Sequence, residues 1–300
     1  MGPQPLRVQT PVSLVTRLAE RRKRRASRPP RVAPCVSGTG AMRKRLLGLG
    51  LVLVPLVAHA QLTVNVLGRV VQVRGPAGSC TAFSIELDTK QYLVTARHCV
   101  KGASDAKQIA VRQGDGWAPL DGKIIFPSNQ EVDIAAIPLA TPRTVVFEFQ
   151  ATSDRIQISQ PVYFLGFPSS LSTNWNSADR NQLSELAFIK AGILSAVDSR
   201  NPDAVVLYVD GQNNPGFSGG PIVFRPGPTE PFRVAGVVSG YKGEPFPVVT
   251  KKDLANPEAA AFKDLYVRAN AGIVLGYDID HIVKAINATN HPPLNGRGDR

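Results

Sequence analysis

From residue 62 onward, apolar and polar residues alternate with a period of two in short runs. Leu62–Val66, Arg69–Val73, Thr81–Leu87, Gln91–Thr95, Lys123–Phe126 and Asp133–Leu139 read as strands, followed by Val162–Leu165, Ala187–Val197, Ala204–Val209, Pro221–Phe224, Arg233–Ser239 and Ala271–Leu275. Gly, Pro, Asn and Asp cluster between these runs, where the chain must turn. One stretch has a helical period: Ile279, Ile282, Val283 and Ile286 fall at i, i+3, i+4 and i+7 behind Asp278, a residue suited to capping a helix N-terminus. No internal repeat or sustained heptad is visible. The pattern predicts an all-β fold, two antiparallel barrels or sandwiches closed by a C-terminal helix.

Charge changes the picture only after the chain is divided. The formal net charge of +12 would suggest nucleic acid or acidic membranes as partners. Residues 1–60, however, hold twelve of the 35 Lys and Arg residues and one acid, Glu20, which leaves 23 basic against 22 acidic residues. A nearly neutral body gives no reason to expect nucleic acid as a partner. The basic segment contains "MRKRLLGLGLVLVPLVAHAQ", with Arg43, Lys44 and Arg45 before an apolar run from Leu46 to Val57 and then Ala58-His59-Ala60. This is the organisation of a secretory signal, and the run is too short for a membrane span of about 20 residues. Translation is expected to start at Met42, residues 1–41 being upstream sequence or an Arg-rich disordered leader, with 42–60 removed and the mature chain starting at Gln61. The protein is expected to be exported, periplasmic or secreted, with no membrane span once the signal is gone. The remaining 240 residues suffice for one two-lobed unit, expected over 61–288 with a lobe boundary near 145–160, before a disordered tail at 289–300.

Cys35 lies in the leader, so the mature part keeps Cys80 and Cys99. In an exported chain such a pair reads as a disulfide, and in cytosol as free thiols. Closing a loop of this length would contribute about 3 kcal/mol in the chain-entropy model.

The segment "NNPGFSGGPIVF" at 213–224 carries the candidate chemistry. Gly216-Phe217-Ser218-Gly219-Gly220 fits the G-x-S-x-G elbow of α/β-hydrolases, and with Pro221 it also fits the nucleophile loop of a trypsin-like serine protease. An elbow lies between a strand and a helix, and its triad histidine comes last along the chain. Here the residues after Ser218 read as strand, and the late histidines, His281 and His291, read as solvated surface. Upstream, "QYLVTARHCV" ends a strand in a turn carrying His98, and "EVDIAAIPLA" puts Asp133 in an otherwise apolar run, where a carboxylate needs a partner such as an imidazole N–H.

On these residues the chain resembles the chymotrypsin-fold serine proteases. Their histidine motif is Thr-Ala-Ala-His-Cys, with a disulfide back to the preceding strand, and this chain departs from it at Arg97. The stretch "VDGQNNPGFSGGPIV" is similar to the nucleophile loop of the HtrA family, matched at Asp210, Asn214, Pro215, Gly216, Ser218, Gly219, Gly220 and Pro221. "AGILSAVD" and "GIVLGYDIDHIVKAI" are similar to further segments of that family's protease domain. The resemblance covers most of 62–288 and implies two six-stranded β-barrels with a catalytic triad of His98, Asp133 and Ser218. It also implies oxyanion donors at the N–H groups of Gly216 and Ser218, a Cys80–Cys99 disulfide, and Ser239 hydrogen-bonded to the triad aspartate. Such a site hydrolyses peptide bonds through an acyl-enzyme and needs no cofactor or metal.

The departures carry information as well. Trypsin-like zymogens mature when a new N-terminus pairs with an aspartate just before the serine, and HtrA proteins hold an Asn there. This chain has Phe217, so no activating cleavage is expected, and Phe217 is expected to pack into an apolar socket. Only about a dozen residues follow the closing helix, so no PDZ domain is expected. Gln212 occupies the position that floors the primary pocket in trypsin-like enzymes, and Tyr241 stands near its entrance, which points to apolar or small substrate side chains. Val238 replaces the histidine of glutamyl endopeptidases. The resulting expectation is an exported, monomeric serine endopeptidase acting on proteins or peptides. A catalytically silent protease-fold binding protein is the alternative, and an α/β-hydrolase esterase a remote one.

Overall fold

A computed structural model of the chain describes residues 62–144, 147–176, 182–249 and 265–291. The expected leader and signal segment, Gln61 and most of the expected tail lie outside the described residues. Fourteen strands form β1 (Val70–Gly75), β2 (Gly78–Leu87), β3 (Lys90–Thr95), β4 (Ala110–Gln113), β5 (Gly116–Pro119), β6 (Ala135–Pro138), β7 (Pro161–Gly166), β8 (Thr173–Asn176), β9 (Gln182–Leu186), β10 (Phe188–Asp198), β11 (Val206–Asp210), β12 (Pro221–Phe224), β13 (Arg233–Pro247) and β14 (Tyr266–Asp278). Two helices, α1 (Val64–Leu67) and α2 (Asp280–Asn290), flank them.

The all-β architecture with a closing helix is the one expected. The first lobe is a six-stranded antiparallel sheet in the order β5-β4-β1-β2-β3-β6, and the second is a closed barrel, β10-β11-β14-β13-β12-β7. β8 and β9 form a separate hairpin. Each lobe has its own apolar core: Val73, Leu93, Ile109, Leu120 and Ile137 fill the first, and Phe164, Leu194, Val209, Phe217 and Val274 the second. A third cluster lies between them, where Val70, Phe83 and Ile134 of the first lobe meet Leu165, Phe167, Val223 and Val237 of the second and Ile282 and Ile286 of α2. The helix thus buries the face whose period announced it, and Asp278 Oδ1 accepts the N–H of Asp280 at its start, 2.9 Å away.

Several expectations change. Leu62–Val66 is not a strand but enters a single helical turn, in which the Val66 and Leu67 N–H groups donate to Thr63 O. Lys123–Phe126 contributes only the isolated bridge Ile125–Ala136. β4, β5, β8 and β9 escape the alternation rule because their sequences, AVRQ, GWAP, TNWN and QLSEL, carry too few apolar residues to show a period. β13 and β14 run past their apolar runs into a ribbon in which Gly243 pairs with Asn270 and Pro247 with Tyr266. Cross-strand hydrogen bonding sustains these segments where local composition reads as turn.

Candidate active site

β3 delivers the chain into a short 3₁₀ turn, Arg97–Val100, that holds His98 half-exposed. Cys99, next in the turn, is bonded to Cys80 of β2. On the other side Arg97 Nη2 donates to Pro127 O (2.9 Å), and its guanidinium lies 4.9 Å from the centre of the Phe126 ring. The residue that departs from the histidine motif therefore braces the turn against the 126–129 segment.

Asp133 lies two residues before β6 rather than within it, and this places its carboxylate beside the turn. Oδ1 accepts the backbone N–H of His98 (2.8 Å), and Oδ2 faces His98 Nδ1 at 2.6 Å and accepts the Ser239 hydroxyl at 2.5 Å. A carboxylate on Nδ1 keeps the proton there and leaves Nε2 as a free base. Burial opposes ionisation of Asp133, whose side chain is 19% exposed, but the hydrogen bonds from His98 and Ser239 outweigh it and hold the carboxyl below its ordinary value.

The second lobe contributes the loop 211–220 between β11 and β12. Gly216 has φ +104°, and a Cβ there would lie 2.1 Å from Phe167 O, so only glycine fits. The Pro215 carbonyl accepts the Ser169 N–H (2.9 Å), which fixes the plane of the Pro215–Gly216 peptide and turns the Gly216 N–H the opposite way. Among the described residues, the N–H groups of Gly216 and Ser218 donate to no protein acceptor. Thr81 of β2, fully buried beside the disulfide, ties this loop to the first lobe. Its N–H donates to Ser218 O (2.9 Å), and its hydroxyl donates to Gly216 O (2.6 Å) while accepting the Phe167 N–H (3.1 Å).

Phe217 is 0% exposed. Its ring packs edge to face on Phe164 at 5.6 Å, and it lies so close to Gly166 that a Cβ there would approach the ring to 2.7 Å and the Phe217 Cα to 2.8 Å. The apolar socket expected for this residue is thus built from β7.

Ser218 Oγ does not bond His98 in this state. It donates to the carbonyl of Ser239, 3.2 Å away, and so the serine and the His98–Asp133 pair meet through Ser239, whose own hydroxyl is on Asp133. Gln212 is exposed, and its carbonyl accepts from Lys190. Tyr241 lies two residues beyond Ser239 on β13 and is partly exposed. Between the two candidate pocket positions the sequence reading missed Asn213, which is 2% exposed; its Nδ2 donates to Gly240 O (3.0 Å) while its buried Oδ1 has no partner among the described residues.

Two other described histidines lie away from this site. His281 is not solvated surface: it is 8% exposed, and its Nε2 accepts the Val205 N–H at 2.9 Å. The helix carries it inward because a ring nitrogen there satisfies an otherwise unpaired backbone donor. Burial lowers its pKa below the ordinary value. His291 is exposed beside Asp88. Among the described residues one group of potential metal ligands lies close together, Cys80, Cys99 and His98. Both sulfurs are consumed in the disulfide and offer no thiolate. No described helix is long and apolar enough to cross a membrane.

The family model described as the trypsin-like peptidase domain matches residues 78–227, which contain His98, Asp133 and Ser218. Comparison with curated proteins finds no match. Among solved structures, the chain is similar to an inactive form of Rv3671c from M. tuberculosis (15% identity over 76% of this chain and 89% of that one, TM-score 0.45). It is also similar to the HtrA-type protease AlgW with a tripeptide (16%, 75% and 60%, TM-score 0.48) and to a serine endoprotease from Yersinia pestis (18%, 74% and 63%, TM-score 0.45).

Proposed function

We infer that this chain, which belongs to the trypsin-like peptidase domain family, is an exported serine endopeptidase working through His98, Asp133 and Ser218. The observation that carries the reading is the set of three hydrogen bonds on the Asp133 carboxylate, two from His98 and one from Ser239, the residue whose carbonyl also holds the Ser218 hydroxyl.

A serine hydroxyl is a weak nucleophile until a base removes its proton. In the proposed cycle the Ser218 hydroxyl turns from Ser239 O to His98 Nε2. Bonds of this kind are often looser without substrate and tighten in the complex. Oγ then attacks the scissile carbonyl carbon as its proton passes to Nε2, and Asp133 stabilises the imidazolium so formed. The unsatisfied N–H groups of Gly216 and Ser218 receive the oxyanion, each such donor lowering the barrier by about 3 to 4 kcal/mol. Collapse expels the amine, which takes the proton from Nε2. Water, deprotonated by the same nitrogen, then releases the acyl group from Ser218.

The uncharged Gln212, at the position expected to floor the primary pocket, and Tyr241 near its entrance support small or apolar side chains at the cleavage site. The signal-like segment at 42–60 supports export, and the near balance of charge over residues 61–300 supports a protein or peptide substrate rather than a nucleic-acid partner. Incubating the purified protein with an unfolded protein substrate tests the reading. Cleavage by the wild type that vanishes in Ser218→Ala is expected; equal cleavage by Ser218→Ala would overturn it.

A further inference from the structure

Phe217 has no charge with which to hold the nucleophile loop, yet a cation reaches that loop from the neighbouring strand. Lys190 of β10 extends its Nζ to Gln212 O and to Asn214 Oδ1, 2.5 Å from each, and lies 5.2 Å from the centre of the Phe217 ring. Among the described residues it pairs with no carboxylate. All three of its contacts fall within the six residues before Ser218.

We propose that Lys190 is a positioning residue, a cationic clamp that holds the 212–217 segment in the conformation presenting the Gly216 N–H. The proposal rests on the reading of Ser218 as nucleophile.

The geometry explains why one ammonium suffices. Asn214 and Phe217 bracket a tight turn, closed by the Phe217 N–H donating to Asn214 O (3.2 Å). The Pro215–Gly216 peptide, with its free N–H, sits in the middle of that turn. A cation held by the side chain at one end and the ring at the other fixes both ends at once, and the bond to Gln212 O fixes the loop residues leading in. Ordering a lysine side chain costs rotamer entropy, so three simultaneous contacts imply interactions strong enough to offset it. Charge-assisted hydrogen bonds and a ring face provide them. Burial also shifts the Lys190 pKa downward, consistent with an ammonium drawn partly out of water. The clamp further accounts for an aromatic at 217: a ring face attracts the cation and still fills the socket over Gly166.

The test compares the wild-type full chain with Lys190→Met and Lys190→Cys, measuring kcat and KM on a peptide substrate, the rate of fluorophosphonate labelling, and the thermal midpoint. Alkylating the cysteine variant with 2-bromoethylamine rebuilds an ammonium at nearly the original position, while Cys80 and Cys99 are protected in their disulfide; alkylated wild type is the control. The clamp predicts that kcat and labelling fall by about tenfold in both variants with KM little changed, and that aminoethylation restores them. Unchanged kcat in Lys190→Met, or a loss that aminoethylation fails to restore, overturns the proposal. So does a change confined to KM for substrates with acidic side chains, which would make Lys190 a pocket charge instead. A wild type that neither cleaves nor labels would overturn the endopeptidase reading and the clamp with it, whereas an active wild type matched by Lys190→Met overturns the clamp alone.

Discussion

The two lobes hold their shares of the site by different physics. The first fixes His98 with directed bonds: a disulfide at the adjacent residue, the carboxylate of Asp133 on both its backbone and its ring, and the Arg97 brace. The second has no disulfide among its described residues and fixes Ser218 by packing and backbone geometry. A buried phenylalanine in a glycine-floored socket, a glycine at positive φ, and carbonyls held by Ser169 and Thr81 set the loop. In the proposed mechanism the base must keep one tautomer and orientation, which charge and covalent bonding secure. The proposed oxyanion loop must instead leave two N–H groups unpaired, so its order has to come from everything around them. Thr81 joins the two arrangements, one residue from the disulfide and bonded to Ser218 O.

The comparison breaks most severely if either lobe loses its reacting group. Ser218→Ala and His98→Ala should each lower kcat/KM by about 10⁴-fold or more, and the double variant should lose little beyond either, because the groups act as a unit. Additive losses would mean that the two lobes contribute independently.

Next in size is the packing of the second lobe. Phe217→Ala should cost about 3 to 5 kcal/mol of stability by emptying the socket, and Gly166→Ala about 1 to 3 kcal/mol by overfilling it. Chemical denaturation would measure both. Phe217→Asp, which puts a charge into the apolar socket, should also lower activity. If Phe217→Ala leaves turnover unchanged, the loop takes its order from elsewhere.

Removing the disulfide acts on the other lobe. Cys80→Ser with Cys99→Ser should cost about 3 kcal/mol and loosen the histidine turn, lowering activity more than the thermal midpoint alone would suggest. Free alkylation of both cysteines in the unreduced native protein would contradict the bridge.

The smallest effects are in pH. The Asp133 carboxyl is held below its ordinary value in the folded state, so it contributes stability above about pH 4, the ordinary range, and loses it as pH falls through the lower folded value. Asp133→Asn should remove that acid limb. The lowered pKa of buried His281 acts at higher pH: unfolding lets the ring take up a proton, so stability declines as pH drops below about 6.5. His281→Gln should flatten this decline in a thermal-midpoint titration; an unaltered slope would assign it to other groups.

Much of this was legible in sequence wherever the chemistry is local. Period-two runs, the i, i+3, i+4, i+7 helix and the His98, Asp133 and Ser218 motifs each lie in a continuous stretch of a few residues. What sequence left hidden depends on contacts between distant segments. Lys190 meets Asn214 across 24 positions, Thr81 meets Gly216 across 135, and Gly166 matters only because Phe217 lies over it. His281 was misread for the same reason: its place on the helix looked polar, and its partner, the Val205 N–H, is 76 residues away. Arg97 and Phe217, noted as departures, drew attention to the right places, but their roles required the neighbours they brace against.

The central claim is that Ser218 is a nucleophile activated by His98 within a loop that needs no further maturation. Peptide mapping after treatment of the folded protein with a fluorophosphonate tests it most directly. The account predicts a single adduct on Ser218, absent in Ser218→Ala and formed far more slowly in His98→Ala. A folded wild type that takes up no adduct, or an adduct that persists in Ser218→Ala, would contradict it.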